Sequence, residues 1–242
     1  MITAMQGQPT ILLVHGAWHG AWCWDKLVPE LAIRGWNVET VDLPSASANP
    51  DNSAGMYDDA RTIRERLGNI EGPVTVLAHS YGGVPVTEAA AGASNVAHLI
   101  YLSAFQLDRG ESLTNQSGGQ LPDGRTGTLP IPEDTVKNFY GDVATPDADS
   151  ALERLVPQTI KSFSEPLTAA AWNTITSTYI ACEHDGILPL AFQEAMSQRA
   201  DHTYRLASSH SPFLSMPVEL AQLITKAAAR AADGHTQKTT SR

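Results

Sequence analysis

Three residues far apart in the chain have types that do chemistry together: Ser80 in "VTVLAHSYGG", Asp185 in "CEHDGILP" and His210 in "ASSHSPF". A serine hydroxyl is a weak nucleophile until a base removes its proton, and an imidazole does so well only when a third group fixes its tautomer. A carboxylate meets that need. The chemistry open to this set is acyl transfer, in which attack on a carbonyl carbon produces a tetrahedral oxyanion that preorganised N–H donors must stabilise. The stretch "LLVHGAWHGAWCW", residues 12 to 24, runs from a strand into His15-Gly16 and a loop. There the backbone N–H of Ala17, with that of Tyr81 after the serine, makes a candidate oxyanion hole.

Such residues act together only if the fold delivers them to one edge. Runs rich in Val, Ile, Thr and Tyr, "TILLVH" (10–15), "NVETVDL" (37–43), "VTVLAH" (74–79), "AHLIYLSAF" (97–105), "ITSTYIAC" (175–182) and "HTYRLA" (202–207), predict strands. Helical patterns near 21–34, 57–69, 83–93, 188–200 and 216–232 alternate with them. Alternation of this kind predicts an α/β fold with a mostly parallel sheet and helices on both faces. Ligands in such sheets bind beyond the carboxyl ends of the strands, where Ser80, Asp185 and His210 all fall.

The corner at Ser80 carries its own signal. A buried strand stops, two glycines follow and a helix begins, which is how a sharp turn lifts a serine oxygen above a sheet. The usual pattern is G-x-S-x-G, and here the first glycine is Ala78. Pro85 is a second irregularity, because it removes an N–H early in the helix. Ordinary readings compete at each position: Ser80 as a helix N-cap, Asp185 as a cap for the helix near 188 with Glu183 as a rival acid, His210 as a loop histidine, "AWHGAW" as aromatic packing. The order and placement of the three favour the catalytic reading.

From Asp108 to Trp172 the rhythm breaks. The first half is rich in Gly, Pro and polar residues, and the second, "DADSALERLVPQTI", has helical spacing. A structureless loop of this length is improbable in a compact domain, so residues 108–172 are expected to form a cap over the carboxyl edge, between core segments 1–107 and 173–232. Residues 233–242 are expected to be a flexible tail. Trp18, His19, Phe105, Tyr140, Phe163 and Phe213 are candidate pocket walls.

Composition narrows the partners. The 242 residues are 42% hydrophobic with a net charge of −10, Lys and Arg totalling 16 against 26 acids. That balance argues against a nucleic-acid or anionic-membrane surface and for a small-molecule substrate. Cys23 and Cys182 lie in no metal-type spacing, so no metal is expected and both are read as packing residues. The first ten residues show no targeting pattern and no apolar run is long enough to span a bilayer, which makes a cytoplasmic protein the expectation. Oligomeric state is left open, a homodimer among the options.

Together, "VHGAWHGAWCW", "AHSYGG", "YLSAF…GESL", "NFYGDVATPDADSALERLVPQ" and "CEHDGILPLAFQEAM" resemble the branch of the α/β-hydrolase superfamily that holds plant methylesterases, the salicylate-binding esterase, the hydroxynitrile lyases and bacterial carboxylesterase relatives. The resemblance runs over residues 10 to 230. It implies an α/β-hydrolase fold with a helical cap, catalysis without cofactor, Ser80 as nucleophile, His210 as base, Asp185 as orienting acid, and Ala17 with Tyr81 as oxyanion hole. The lyases carry threonine at the place of Ala17 and lysine at that of Ser211, after the histidine, so cyanide chemistry is disfavoured. The expected function is a serine carboxylesterase acting on a small hydrophobic or aromatic ester. A non-catalytic sensor of a small aromatic acid and a cofactor-free oxygenase are the alternatives.

Overall fold

The computed structural model describes residues 8–118 and 126–239. The N-terminal lead (1–7), part of the expected cap (119–125) and the end of the expected tail (240–242) lie outside the described residues. Eight strands occur in chain order: β1 Thr10–Val14, β2 Asn37–Val41, β3 Val74–His79, β4 Val96–Leu102, β5 Thr128–Leu129, β6 Gln158–Thr159, β7 Ser177–Cys182 and β8 His202–Leu206. The helices are α1 Leu27–Ile33, α2 Met56–Gly68, α3 Gly83–Ala89, α4 Leu113–Gln116, α5 Thr135–Phe139, α6 Thr145–Leu152, α7 Ile160–Ser164, α8 Leu190–Ser197, α9 Pro212–Ser215 and α10 Pro217–Thr239.

Six strands form one sheet in the order β2-β1-β3-β4-β7-β8, every pair parallel. These are the six runs picked out by side-chain type. Strands covered on both faces are mostly apolar along their length, and β1, β3 and β7 are buried throughout, whereas edge strand β8 alternates between partly buried and exposed. Leu12, Val14, Val76, Tyr101 and Tyr179 face a cluster with Met56, Ile63 and Leu67 of α2 and Val84 of α3. Ile11, Leu13, Leu77, Ile100 and Ile180 face the opposite cluster with Leu27 and Leu31 of α1 and Leu220 and Ile224 of α10. The chain leaves β1 for β2 on one side and returns to β3 on the other, so the connections diverge above β1 and β3. A crevice at the carboxyl end is expected there.

Some boundaries differ from expectation for local reasons. The helix expected over 21–34 is a 3-10 turn, Ala21–Trp24, followed by α1. A continuous helix would drive the ring of Pro29 into the carbonyl of Asp25, whereas in the first turn of α1 the proline is tolerated. Pro85 likewise falls within the first turn of α3. The segment expected as a tail from 233 is helical to Thr239, as the end of α10.

The stretch between β4 and β7 adds no strand to the six-stranded sheet. It folds as short helices α4 to α7 with an antiparallel pair, β5–β6, and packs on the loops that follow β1, β2 and β8. Val156 N–H donates to the Trp18 carbonyl (3.0 Å), Thr159 N–H to that of Ser45 (3.0 Å), and Ser209 N–H to the Asp142 carboxylate (2.9 Å). Among the described residues, no helix is long and apolar enough to cross a membrane.

Candidate active site

Ser80 follows the last residue of β3 and has φ 54°, the left-handed region that costs a residue with a Cβ about 1–3 kcal/mol. The surroundings hold it there. Phe105 N–H donates to the Ser80 carbonyl (3.1 Å), and β1 lies so close that a Cβ on Gly82 would sit 2.5 Å from the His15 carbonyl oxygen. A Cβ on Gly16 would stand 2.9 Å from Ser80 Cβ. The corner therefore needs glycine at 82 and 16. At 78 it does not, because the Ala78 methyl is absorbed by the apolar cluster on its face of the sheet.

His210 and Asp185 meet after β8 and β7. His210 Nδ1 lies 2.6 Å from Asp185 Oδ2, and both side chains are out of solvent. A carboxylate oxygen can only accept, so Nδ1 carries the hydrogen and neutral His210 presents its lone pair at Nε2. Asp185 is over-determined: Oδ2 also accepts from Ser103 Oγ, while Oδ1 accepts from the N–H of Ile187 (2.7 Å) and of Leu188 (2.8 Å). Burial alone would raise its pKa. The charge and hydrogen bond of His210, with those further donors, outweigh burial and hold it below the usual value.

His79 brings His210 to the elbow. Its Nε2 donates to the His210 carbonyl (2.9 Å), and the two rings stand 4.5 Å apart. The Ser80 hydroxyl makes no hydrogen bond among the described residues. Three buried imidazoles of this region are kept neutral chiefly by burial: His79 and His15 are lowered, and His19 falls to about 3. Their partners fix their tautomers. His15 Nδ1 donates to the Gly16 carbonyl (2.8 Å) while Nε2 accepts from Leu43 N–H (2.9 Å). His19 Nδ1 donates to the Ala17 carbonyl (2.8 Å) and Nε2 accepts from the Tyr140 hydroxyl (2.8 Å), tying the loop after β1 to the stretch between β4 and β7.

The remaining expected residues divide. Ala17 and Tyr81 are buried just after β1 and β3, Tyr81 at the start of a turn where N–H groups have no carbonyl one turn back. Trp18 has φ 63° and packs between Phe139 (5.8 Å) and Phe163 (5.7 Å), and Phe163 also meets Tyr81 (5.4 Å). Phe105 packs against Phe192 and props the elbow through its backbone. Phe213 is reassigned from pocket wall to core: it is fully buried against Trp24 and His79 (both 4.9 Å), in the cluster on the α1 and α10 side. Sequence reasoning passed over Asp59, Ser45 and Gln158, which form a buried polar network reaching Tyr81. A signal existed. Asp59 falls on the apolar stripe Met56, Ala60, Ile63, Leu67 of α2, where a carboxylate is out of place.

The family model of the alpha/beta hydrolase family matches residues 11–223. An alpha/beta hydrolase of Aspergillus novofumigatus, nvfD, is 29% identical, the match covering 93% of this chain and 98% of that protein. Methyl jasmonate esterase 1 of Vitis vinifera is 28% identical, covering 86% and 92%. The crystal structure of polyneuridine aldehyde esterase superposes with a TM-score of 0.79 at 24% identity, covering 91% and 99%, and shows the same fold. With that span matched and the parallel sheet and elbow in place, the chain belongs to the alpha/beta hydrolase family, within which it is similar to methylesterases.

Proposed function

We propose that this protein is a cofactor-free serine carboxylesterase acting on a small ester with a hydrophobic or aromatic group. Ester hydrolysis as the class of reaction is supported by its relatives, which are named esterases and hydrolases. The observation that carries the finer reading is the buried 2.6 Å contact between His210 and Asp185, with the His210 ring packed 4.5 Å from that of His79, the residue before the strained serine. Ser80 Oγ attacks the ester carbonyl carbon as His210 Nε2 takes its proton, across a hydrogen bond that forms in the substrate complex. The N–H groups of Ala17 and Tyr81 receive the oxyanion. On collapse, the bond to the alcohol oxygen breaks and His210 returns the proton to it. Water, deprotonated by the same nitrogen, then cleaves the acyl-serine and releases the acid. Asp185 stays ionised and stabilises the imidazolium.

The aromatic group of Trp18, Phe139 and Phe163 and the neutral imidazoles favour an uncharged, flat acyl or alcohol part. Cyanide release is disfavoured, because the residue after His210 is a fully buried serine, Ser211, with no cation to offer. Hydrolysis of p-nitrophenyl and aryl methyl esters by wild type and Ser80→Ala tests the reading. Turnover should fall by at least about a thousandfold in a variant that keeps its circular dichroism spectrum. Retained turnover in folded Ser80→Ala would overturn it.

A further inference from the structure

A buried polar network outside the Ser80, His210, Asp185 set links the two main-chain segments that carry the candidate oxyanion donors. Asp59, on α2, is fully buried. Its Oδ2 accepts from the Tyr81 hydroxyl (2.5 Å) and from Ser45 Oγ (2.5 Å), and its Oδ1 accepts from Ser45 N–H (2.9 Å). Ser45 Oγ in turn accepts from Gln158 Nε2 (2.7 Å), which is also within reach of Ser162 Oγ (2.7 Å). The other end of the same amide, Gln158 Oε1, accepts from the N–H of Trp18 (3.3 Å). The path starts at Tyr81, one residue past the nucleophile, and ends at Trp18, one residue past Ala17.

We propose that Asp59 is a positioning residue for ester hydrolysis, fixing the Tyr81 and Ala17 backbone N–H groups relative to each other through the Tyr81 phenol on one side and Ser45 and Gln158 on the other. This rests on the reading of the site as a serine esterase. A side-chain strut is needed because both segments are strained and neither belongs to a sheet ladder: Ser80 and Trp18 have φ 54° and 63°. Oxyanion stabilisation depends on donor placement to a fraction of an ångström, and the cap residue Gln158 closes the path, so docking of the cap and completion of the donor pair are one event.

The ionised form is the one the geometry fits, since all three groups facing the carboxylate are donors. The other groups near it are Asp58 on its own helix, paired with Arg61 (2.6 Å) and Lys161 of α7 (3.5 Å), and Gln158 and Ser162 of the cap; no ion pair among the described residues includes Asp59. Burial, only partly offset by the Ser45 and Tyr81 hydrogen bonds, raises its pKa to about 7. On protonation, one accepted bond must reverse and the strut loosens. Asparagine copies that protonated form.

The test measures kcat and KM for p-nitrophenyl acetate from pH 5 to 9 in wild type, Tyr81→Phe and Asp59→Asn, with Ser80→Ala alongside. Tyr81→Phe keeps the ring and should lower kcat by about ten- to a hundredfold with KM within about twofold. Affinity for an aryl trifluoromethyl ketone, whose serine adduct carries an oxyanion, should weaken by the same factor. Asp59→Asn should lose one ionisation from the acid limb of the pH profile, and the double variant should be no worse than the poorer single one. Folded Tyr81→Phe and Asp59→Asn with kcat within twofold of wild type and an unchanged acid limb would overturn the proposal, as would a kcat loss that leaves ketone affinity untouched. Should Ser80→Ala keep its turnover, the esterase reading itself fails, which is a separate outcome.

Discussion

Asp185 and Asp59 are both buried, both accept from a serine hydroxyl and from main-chain N–H, and are displaced in opposite directions. Asp185 faces the imidazole of His210 and is held below its ordinary pKa; Asp59 has only neutral donors, a phenol, a hydroxyl and an amide, and rises to about 7. Burial pushes both upward. The difference is the chargeable partner, and it separates their work: Asp185 carries a charge that an imidazolium can lean on, whereas Asp59 holds geometry only while its proton is off.

The largest expected effect breaks the Asp185 side of this comparison. Asp185→Asn keeps the shape but presents an N–H₂ or a neutral oxygen to His210 Nδ1. The favoured tautomer and the stabilisation of the imidazolium are lost. By analogy with other triads kcat should fall by about 10³–10⁴-fold with KM little changed, measured on the same p-nitrophenyl ester. A loss below tenfold would mean that Glu183 or another acid orients the histidine.

The second effect is on stability, and its sign differs between the two carboxyls. Asp59 has a folded pKa near 7, above its ordinary 3.8, so its contribution is fully present below the unfolded value and is lost as pH rises through 7. The shift corresponds to about 4 kcal/mol between those limits. Asp59→Asn carries no such loss, and its denaturant midpoint relative to wild type should climb between pH 4 and pH 8. Asp185, lowered, contributes stability above the unfolded value and loses it as pH falls through its folded one, so Asp185→Asn should gain on wild type only in acid. Parallel trends in the two variants would remove the distinction.

The two carboxyls also differ in how far the sequence exposed them. Asp185 sits in a loop just after a strand, and that placement together with the chain order pointed to the same sheet edge as His210. All six strands of the sheet were legible for a related reason: short runs rich in Val, Ile, Thr and Tyr, and turns that interrupt them, mark strands whether central or at an edge. Asp59 has no such marker, being an acid within a helical segment that carries several other charges. Only its place in the stripe of Met56, Ile63 and Leu67 marked it, and its partners Ser45 and Gln158 lie 14 and 99 positions away by numbering, with no motif between them. Networks of this type form where a cap folds back on a core, and the cap's short helices and two-residue strands carry little periodicity to read. Phe213 shows the same limit: its residue type fits a pocket wall or the core equally, and only the structure packs its ring against Trp24 and His79.

The smallest effect asks whether a charged partner makes neutral donors redundant. Ser103→Ala removes one donor from Asp185 Oδ2 and leaves His210 and the N–H groups of Ile187 and Leu188 in place. With the imidazole still supplying the dominant favourable interaction, the carboxylate should stay ionised through neutral pH, and kcat should fall by about tenfold or less. Ser45→Ala at Asp59 takes away the hydroxyl donor and leaves Gln158 Nε2 with Ser162 Oγ alone, at a site whose other donors among the described residues are the Tyr81 phenol and one N–H. There the remaining pKa support is weaker, so the Asp59 ionisation should move above 7 and the acid limb of the activity profile with it. The comparison is read from the two profiles side by side: a shift in Ser45→Ala larger than that in Ser103→Ala sustains the division between a charge held by a charge and a charge held by dipoles, and equal shifts dissolve it.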